Sequence, residues 1–446
     1  MASEGCVEDA TGALNMEDLI FARMQMGVSL VFHIVFACIG VAMPLLMVIA
    51  EWRWLKTGDD VYLTLAKRWA KGTAILFAVG AVSGTVISFE LGLLWPKFMQ
   101  FAGSIIGLPF ALEGFAFFTE AIFLGIYLYG WQKVSKVQHL LAGVIVALSG
   151  AASATFVVIA NAWMNTPTGF RVENGQPVDV DPVAAMLNPA ALPQILHMDI
   201  AAYAATGFLV AGIHAFMLLK NKSNKFHRAA FAIALSVGAS MAIIEPFSGD
   251  CLAKMVAQWQ PVKLAAMEAH FQTESCAPLQ IGGLPDTEAR VNRYAISIPC
   301  LLSVLAFSDP NATVKGLNDF AKDLWPNIFL VRMAFQTMLA CGMAMMLIAL
   351  WGLFTYVRQR QLPDSDLFLK AMTLCAPLGF LAVESGWMIT EVGRQPWVIH
   401  GVLKTADVVT PMPGLFVPFI FFSLLYVFLF VIVVWLIRRQ VIESPT

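Results

Sequence analysis

The stretch MPGLFVPFIFFSLLYVFLFVIVVWLI, residues 412–437, holds no charged side chain and is closed by Arg438 and Arg439. As a helix rising 1.5 Å per residue it reaches about 39 Å, more than the roughly 30 Å of hydrocarbon in a bilayer. Eight more apolar runs of this kind precede it, near 26–50, 72–95, 105–130, 138–162, 191–219, 229–247, 327–356 and 371–390. The reading is an all-α integral membrane protein, nine transmembrane helices in a bundle.

Composition agrees. Of 446 residues 59% are hydrophobic and 13% charged, about half the charged share of an average soluble domain, which excludes an ordinary soluble enzyme. The formal net charge of −2, without a basic tract, gives no sign of a nucleic-acid partner. Seven scattered cysteines form no CxxC pair. Residues Met1 to Asp18 are acidic and lack the basic start of a signal peptide, so no cleavage is expected.

The organisation expected is an outward segment at 1–25, transmembrane helices one to six over 26–247, an outward loop at 248–326, helices seven to nine over 327–437, and a cytoplasmic tail at 438–446. Orientation follows from lysine and arginine. Sixteen lie on one side (Arg53, Lys56, Lys67, Arg68, Lys71, Lys133, Lys136, Lys220, Lys222, Lys225, Arg228, Arg358, Arg360, Lys370, Arg438 and Arg439), and the other side, long loop apart, has only Arg23, Lys97, Arg171, Arg394 and Lys404. The positive-inside rule makes the first side cytoplasmic, with the N-terminus and long loop outside and the C-terminus inside.

A charge or imidazole at membrane depth costs several kcal/mol unless partnered, so each is a functional candidate. These are His33, Glu90, Glu113, Glu120, His197, Asp199, His214, Arg332, Glu384 and Glu391. From the outer end of each span His197 lies at about 9 Å, His33 at about 10 Å and Met338 at about 15 Å, with Glu391 at the outer mouth. Two histidines, a methionine and a carboxylate at similar depth suit haem irons. The competing reading of each histidine is a helix-to-helix hydrogen bond, and one methionine among 22 carries no signal alone. Glu113 and Glu120, two turns apart on one helix face, form a ladder for protons that Ser153 would extend. Against it stands a protonated glutamate simply bonded to a neighbouring helix.

The segment Gly386-Trp387-Met388-Ile389-Thr390-Glu391-Val392-Gly393-Arg394-Gln395-Pro396-Trp397 resembles GWxxxExGRQPW, the most diagnostic motif of subunit I of the cytochrome bd quinol oxidases. Lys263-Leu264-Ala265-Ala266-Met267-Glu268 resembles the KLAAxE core of that family's quinol-binding loop. Leu112-Glu113-Gly114 with Phe117-Phe118-Thr119-Glu120, Lys136-Val137-Gln138-His139 and Ala160-Asn161-Ala162-Trp163-Met164 follow in family order, so the resemblance spans about Ala22 to Arg439.

It implies that His197 and Met338 ligate a low-spin haem b, and that His33 and Glu391 each hold one of two high-spin haems, haem b and haem d, or haem b in place of haem d. Trp387 would pack between them and Arg394 would answer propionate charge. Lys263 and Glu268 would bind and deprotonate quinol, while Glu113, Glu120 and Ser153 would serve proton delivery or charge compensation. Because five residues is an imperfect helical offset, Lys263 and Glu268 need not share a face. Without the motif, this pair reads as solvated charge on a loop.

Three departures stand out. Gln336 replaces an arginine common in the family, with Arg332 one turn earlier and Met333 as a fallback ligand. Ser88-Phe89-Glu90 places its carboxylate two residues late. The loop is of the short form. Cys251 and Cys276 could pair on the oxidising side, where free thiols and a competing Cys300 are the alternatives.

The function implied is a terminal oxidase subunit of the bacterial cytoplasmic (inner) membrane. It would oxidise quinol at the outer face, reduce dioxygen to water and separate charge without pumping. Its partners would be a smaller membrane subunit II and a single-span accessory peptide. The alternatives are a proton-coupled secondary transporter, which predicts inverted repeats, and a quinol-linked haem protein that reduces no oxygen.

Overall fold

The computed structural model describes residues 8–442, with side chains from 17 to 441. The first seven residues of the expected N-terminal segment and the last four of the expected tail lie outside these described residues. Among them nine helices are long and apolar enough to cross a membrane. They are α1 (Glu8–Thr57), α2 (Asp60–Leu94), α3 (Pro96–Tyr129), α4 (Lys136–Asn165), α6 (Ala191–Lys220), α7 (Lys225–Trp259), α10 (Ile328–Gln359), the pair α11 (Asp366–Cys375) and α12 (Leu378–Val392), which together make one span, and α13 (Phe416–Ile437). Short helices α5 (Pro182–Met186), α8 (Pro261–Glu268) and α9 (Leu301–Phe307) lie in the connections.

Helices of 30 to 35 residues reach about 45–52 Å and project beyond the hydrocarbon. Helix α7 shows the consequence: it runs on to Trp259, well past the end expected near 247. Local chemistry sets the ends. Ser135 and Gln138 form a reciprocal capping box at the start of α4, Asn224 caps α7 and Asn327 caps α10. The break between α11 and α12 falls at Ala376-Pro377, where proline cannot continue the backbone bonding.

In an apolar solvent, helices associate by close packing of small residues. Helix α6 packs most extensively on α7, α3 on α4 and α1 on α2. Gly207 lies against Gly238, and Gly379 against the backbone of Ala205, where a Cβ would not fit. One core cluster, around Leu46, Phe208, Phe231 and Phe368, fills the end bearing the basic loops; another, around Leu264, Phe271, Val331 and Ile389, fills the opposite end.

That opposite end carries the long loop. Its strands are β3 (Glu274–Ser275) paired with β6 (Thr313–Val314), and β4 (Leu279–Asp286) paired antiparallel with β5 (Val291–Ile298). Smaller hairpins, β1 (Arg171–Glu173) with β2 (Gln176–Val178) and β7 (Trp397–Ile399) with β8 (Leu403–Lys404), lie at the same end. Cys276 is bonded to Cys300, at the open end of the β4–β5 hairpin, and Cys251 is free. The Cys251–Cys276 pairing is thereby corrected: Cys251 rides on the extension of α7, whereas Cys276 and Cys300 flank two paired strands.

Candidate functional site

Four of the expected ligands sit in the half of the bundle nearest the long loop. His33 of α1 places Nδ1 3.0 Å from Ser83 Oγ of α2. That hydroxyl donates to the carbonyls of Val79 and Gly80, so it accepts the Nδ1 proton and leaves Nε2 as the lone-pair nitrogen. His197 of α6 repeats the pattern, with Nδ1 3.1 Å from both Ser248 Oγ and Glu245 Oε1 of α7. Ser248 donates to Glu245, so Nδ1–H is again the donor and Nε2 is free to ligate. Met338 of α10 points its sulfur at Gly386 of α12, 3.3 Å from where a Cβ would stand. His197 and Met338 belong to no common hydrogen-bonded group.

Glu391, half-buried at the end of α12, is the hub of a polar cluster whose Arg394, Asn165 and Lys263 are buried. Its Oε1 accepts from Asn161 Nδ2 at 2.5 Å and its Oε2 from Arg394 at 2.6 Å. Asn161 also accepts from Gln194 and Asn165. Asn165 in turn accepts from Lys263 Nζ at 2.7 Å, and Gln260 donates to the Asn165 carbonyl. The loop lysine is thus joined through two asparagines to the carboxylate of the GRQPW segment. Burial, reinforced by the Arg394 charge and partly offset by Glu391, lowers Lys263 to about 7. Nearby His400 is lowered to about 4 by burial and by the charges of Lys263 and Arg394.

Glu268 leaves the other side of α8. Its Oε2 takes a bond from Arg332 Nη1 at 3.1 Å, and both groups are buried. The same guanidinium donates to the carbonyls of Met267, Gln280 and Gly282, and Gln336 donates to Gly282 at 2.8 Å. Burial outweighs the neighbouring cation and raises Glu268 to about 7. Lys263 and Glu268, each 5% exposed, therefore face different partners, as their spacing allows.

The ladder residues are brought together. Ser153 donates to Glu113 at 3.3 Å, and the Glu120 carboxyl lies against Gly150, one turn along the same face of α4. Glu90 is elsewhere: it accepts from Gln25 and Ser29 of α1. His214 pairs with His227 at 2.9 Å, and Asp199 accepts from Thr155 at 3.4 Å.

Several functional-site neighbours escaped the sequence reading, among them Glu245, Ser83, Ser248, Asn165, Gln194, Gln260 and His400. Glu245 was detectable as a charge inside an expected span. Ser83, Ser248 and Asn165 are neutral and common in helices, and nothing in the sequence singles them out.

Several buried polar atoms lack a partner: Nε and Nη1 of Arg394, Nε1 of Trp387 and both carboxyl oxygens of Glu384. Unpaired buried groups are costly and call for a ligand. A glycine also faces each of His33, His197 and Met338, at Gly84, Gly249 and Gly386. Two histidines offering Nε2, a thioether and carboxylate at one end of the bundle, and a guanidinium with two free donors fit haem and its propionates.

The chain matches the family model described as cytochrome bd terminal oxidase subunit I over residues 21–445. It is 38% identical over 435 residues to the putative cytochrome bd menaquinol oxidase subunit I of Bacillus subtilis (strain 168), covering 96% of this chain and 98% of that one. It is 29% identical over 461 residues to the cytochrome bd-II ubiquinol oxidase subunit 1 of Escherichia coli (strain K12), covering 87% and 89%. Among solved structures, the bd oxidase from Geobacillus thermodenitrificans superposes with a TM-score of 0.90 at 38% identity, over 96% of this chain and 99% of that one.

Proposed function

The chain belongs to the family of cytochrome bd terminal oxidase subunit I, and from that premise we infer how its residues divide the work of a quinol oxidase. Membership makes it a haem-dependent, multi-pass component of a respiratory oxidase complex and removes the transporter and the oxygen-independent haem protein as readings. The observation that carries the assignment of residues is the hydrogen-bonded line from Lys263 through Asn165 and Asn161 to Glu391 and Arg394.

Quinol binds beside α8. Glu268 in its carboxylate form takes a hydroxyl proton, and Lys263 holds a quinol oxygen. His197 and Met338 hold a low-spin haem b, His33 and Glu391 each hold a high-spin haem, one b and one d (or b in its place), and Arg394 pairs with propionate. The bound haems supply electron transfer and the reduction of dioxygen. Two quinols release four electrons and four protons; one dioxygen takes up four of each to give two waters.

The loop end faces outward and the basic end lies in the cytoplasm, so the N-terminus is outside and the C-terminus inside. Glu120 receives protons from the cytoplasmic side and passes them by Glu113 and Ser153 towards the haem ligands. Quinol protons leave on the other face, which separates charge across the bacterial cytoplasmic membrane without a pump. A smaller subunit II and a single-span peptide complete the complex.

Replacing Glu391 with alanine and recording haem content beside oxygen uptake tests the assignment. Loss of one high-spin haem signature and of oxygen uptake is expected; full haem content with full activity overturns it.

A further inference from the structure

Strands β4 and β5 form a hairpin that no third strand joins among the described residues. One face sets Ile281 opposite Ile296, with Tyr294 and Ile298 in the same alternation on β5; Leu279, opposite Ile298, packs back on the core of the loop end. Ile281 and Ile298 are exposed, Ile296 is 69% exposed and Tyr294 89%. The outer edge of β4 is tied to protein: the carbonyls of Gln280 and Gly282 accept from Arg332 and Gln336 of α10, and across the hairpin the Asn292 side chain donates to that of Gln280. A two-stranded hairpin is marginal by itself in water, and a contiguous exposed apolar face marks an interaction surface.

Its height along α10 identifies what covers it. Counting about 20 residues for the hydrocarbon from Tyr356, next to Arg358 at the basic end, brings the other boundary to Gln336 and Thr337. The hairpin hangs from Gln336 and Arg332, so it lies at headgroup level. The stripe of α10 that holds it continues at helical spacing through Leu339, Met343 and Leu347, all exposed and apolar. Tyrosine is enriched at such an interface. Formal charges sit towards the hairpin tip, at Glu288 and Arg290 and in the Asp286–Arg293 pair at 2.7 Å.

We propose that this face of the β4–β5 hairpin seats in the lipid leaflet on the loop side, continuous with the lipid-facing stripe of α10. Because Arg332 grips both the β4 carbonyls and Glu268, the lipid seat also fixes the height of Glu268. This second clause rests on the quinol reading above; the lipid contact does not.

The test is spin labelling of the intact oxidase complex in phospholipid nanodiscs. Cys251, the exposed free cysteine among the described residues, is replaced by serine, and labels are placed by Ile296→Cys, with Leu347→Cys as a lipid reference and Glu288→Cys as a water reference. Haem absorption confirms folding. The expected label at 296 is relaxed more by oxygen than by a water-soluble nickel chelate, as at 347. A label relaxed mainly by the chelate, as at 288, overturns the lipid seat, and so does one reached by neither, which would mean that protein covers the face. For the second clause, Ile296→Asp is expected to raise the KM for a membrane-soluble quinol with the haem spectrum unchanged. An unaltered KM removes the link to Glu268 and leaves the lipid contact standing.

Discussion

His139, buried at the basic end, and His197, half-buried at the loop end, each lie in the bundle beside a glutamate, yet their rings are engaged differently. His139 uses both nitrogens: Nδ1 meets Glu51 at 2.8 Å and Nε2 meets the carbonyl of Tyr127 at 2.9 Å. Both ring nitrogens are thus committed to partners in the protein, and the ring ties α1, α3 and α4 together. His197, like His33, engages only Nδ1 and keeps Nε2 uncommitted. A buried polar group with every position satisfied holds structure together; one with a position left over is prepared for something else.

The sharpest way to break this comparison is to remove each ring in turn. His197→Leu and His33→Leu should each delete one haem signature from the reduced-minus-oxidised spectrum and abolish oxygen uptake. His139→Leu should keep every haem and its turnover per haem, while lowering thermal stability, since breaking a buried pair costs about 3–5 kcal/mol. Loss of haem from the His139 variant alone would reverse the assignment.

Next in size are the two polar groups of α8. Glu268→Gln should lower quinol oxidation by about 10²- to 10⁴-fold with haem content unchanged, and Lys263→Met should raise the KM for quinol. A loss of haem in the Lys263 variant would instead mean that the asparagine line to Glu391 holds the haem site in shape.

A milder probe is pH. Glu268 is raised to about 7 by burial and must be ionised to accept a proton. Activity limited by this step should therefore fall about tenfold per unit as pH drops below 7 and level off above it. In Glu268→Gln the residual rate should lose that limb. A wild-type profile flat from pH 5 to 7 would remove Glu268 as the base.

What the sequence disclosed and what it hid divide along the same line. Nine spans were legible because hydrocarbon thickness imposes length and apolarity on each of them, as in 412–437. Charges within spans were legible for the same reason, down to the Glu113–Glu120–Ser153 face. The difference between His139 and His197 was not, because it lies in what each ring nitrogen touches: Tyr127 O fills Nε2 of His139 and Ser248 Oγ meets only Nδ1 of His197, and both partners come from other helices. Lys263 and Glu268 stood out only through the resemblance, since composition alone makes a loop lysine and glutamate look solvated.

The disulfide gives the smallest expected effect and sharpens the contrast between the two ends from the side of the loop. The cysteine reading went astray at α7: with that span ended at 247, Cys251 fell in the loop, whereas the helix carries it on to Trp259. The bond joins Cys276 to Cys300, 24 residues apart, and closes the open end of the β4–β5 hairpin. Constraining a loop of that length in the unfolded chain contributes about 3.5 kcal/mol, but only to the segment it closes. Cys276→Ser should therefore leave the haem spectrum and the His139-dependent melting of the bundle unchanged. It should increase hydrogen exchange within Leu279–Ile298 and raise the KM for quinol modestly, through Arg332. The basic end, which contains no part of this hairpin, should show no change in exchange; a change there would mean that the two ends unfold as one unit.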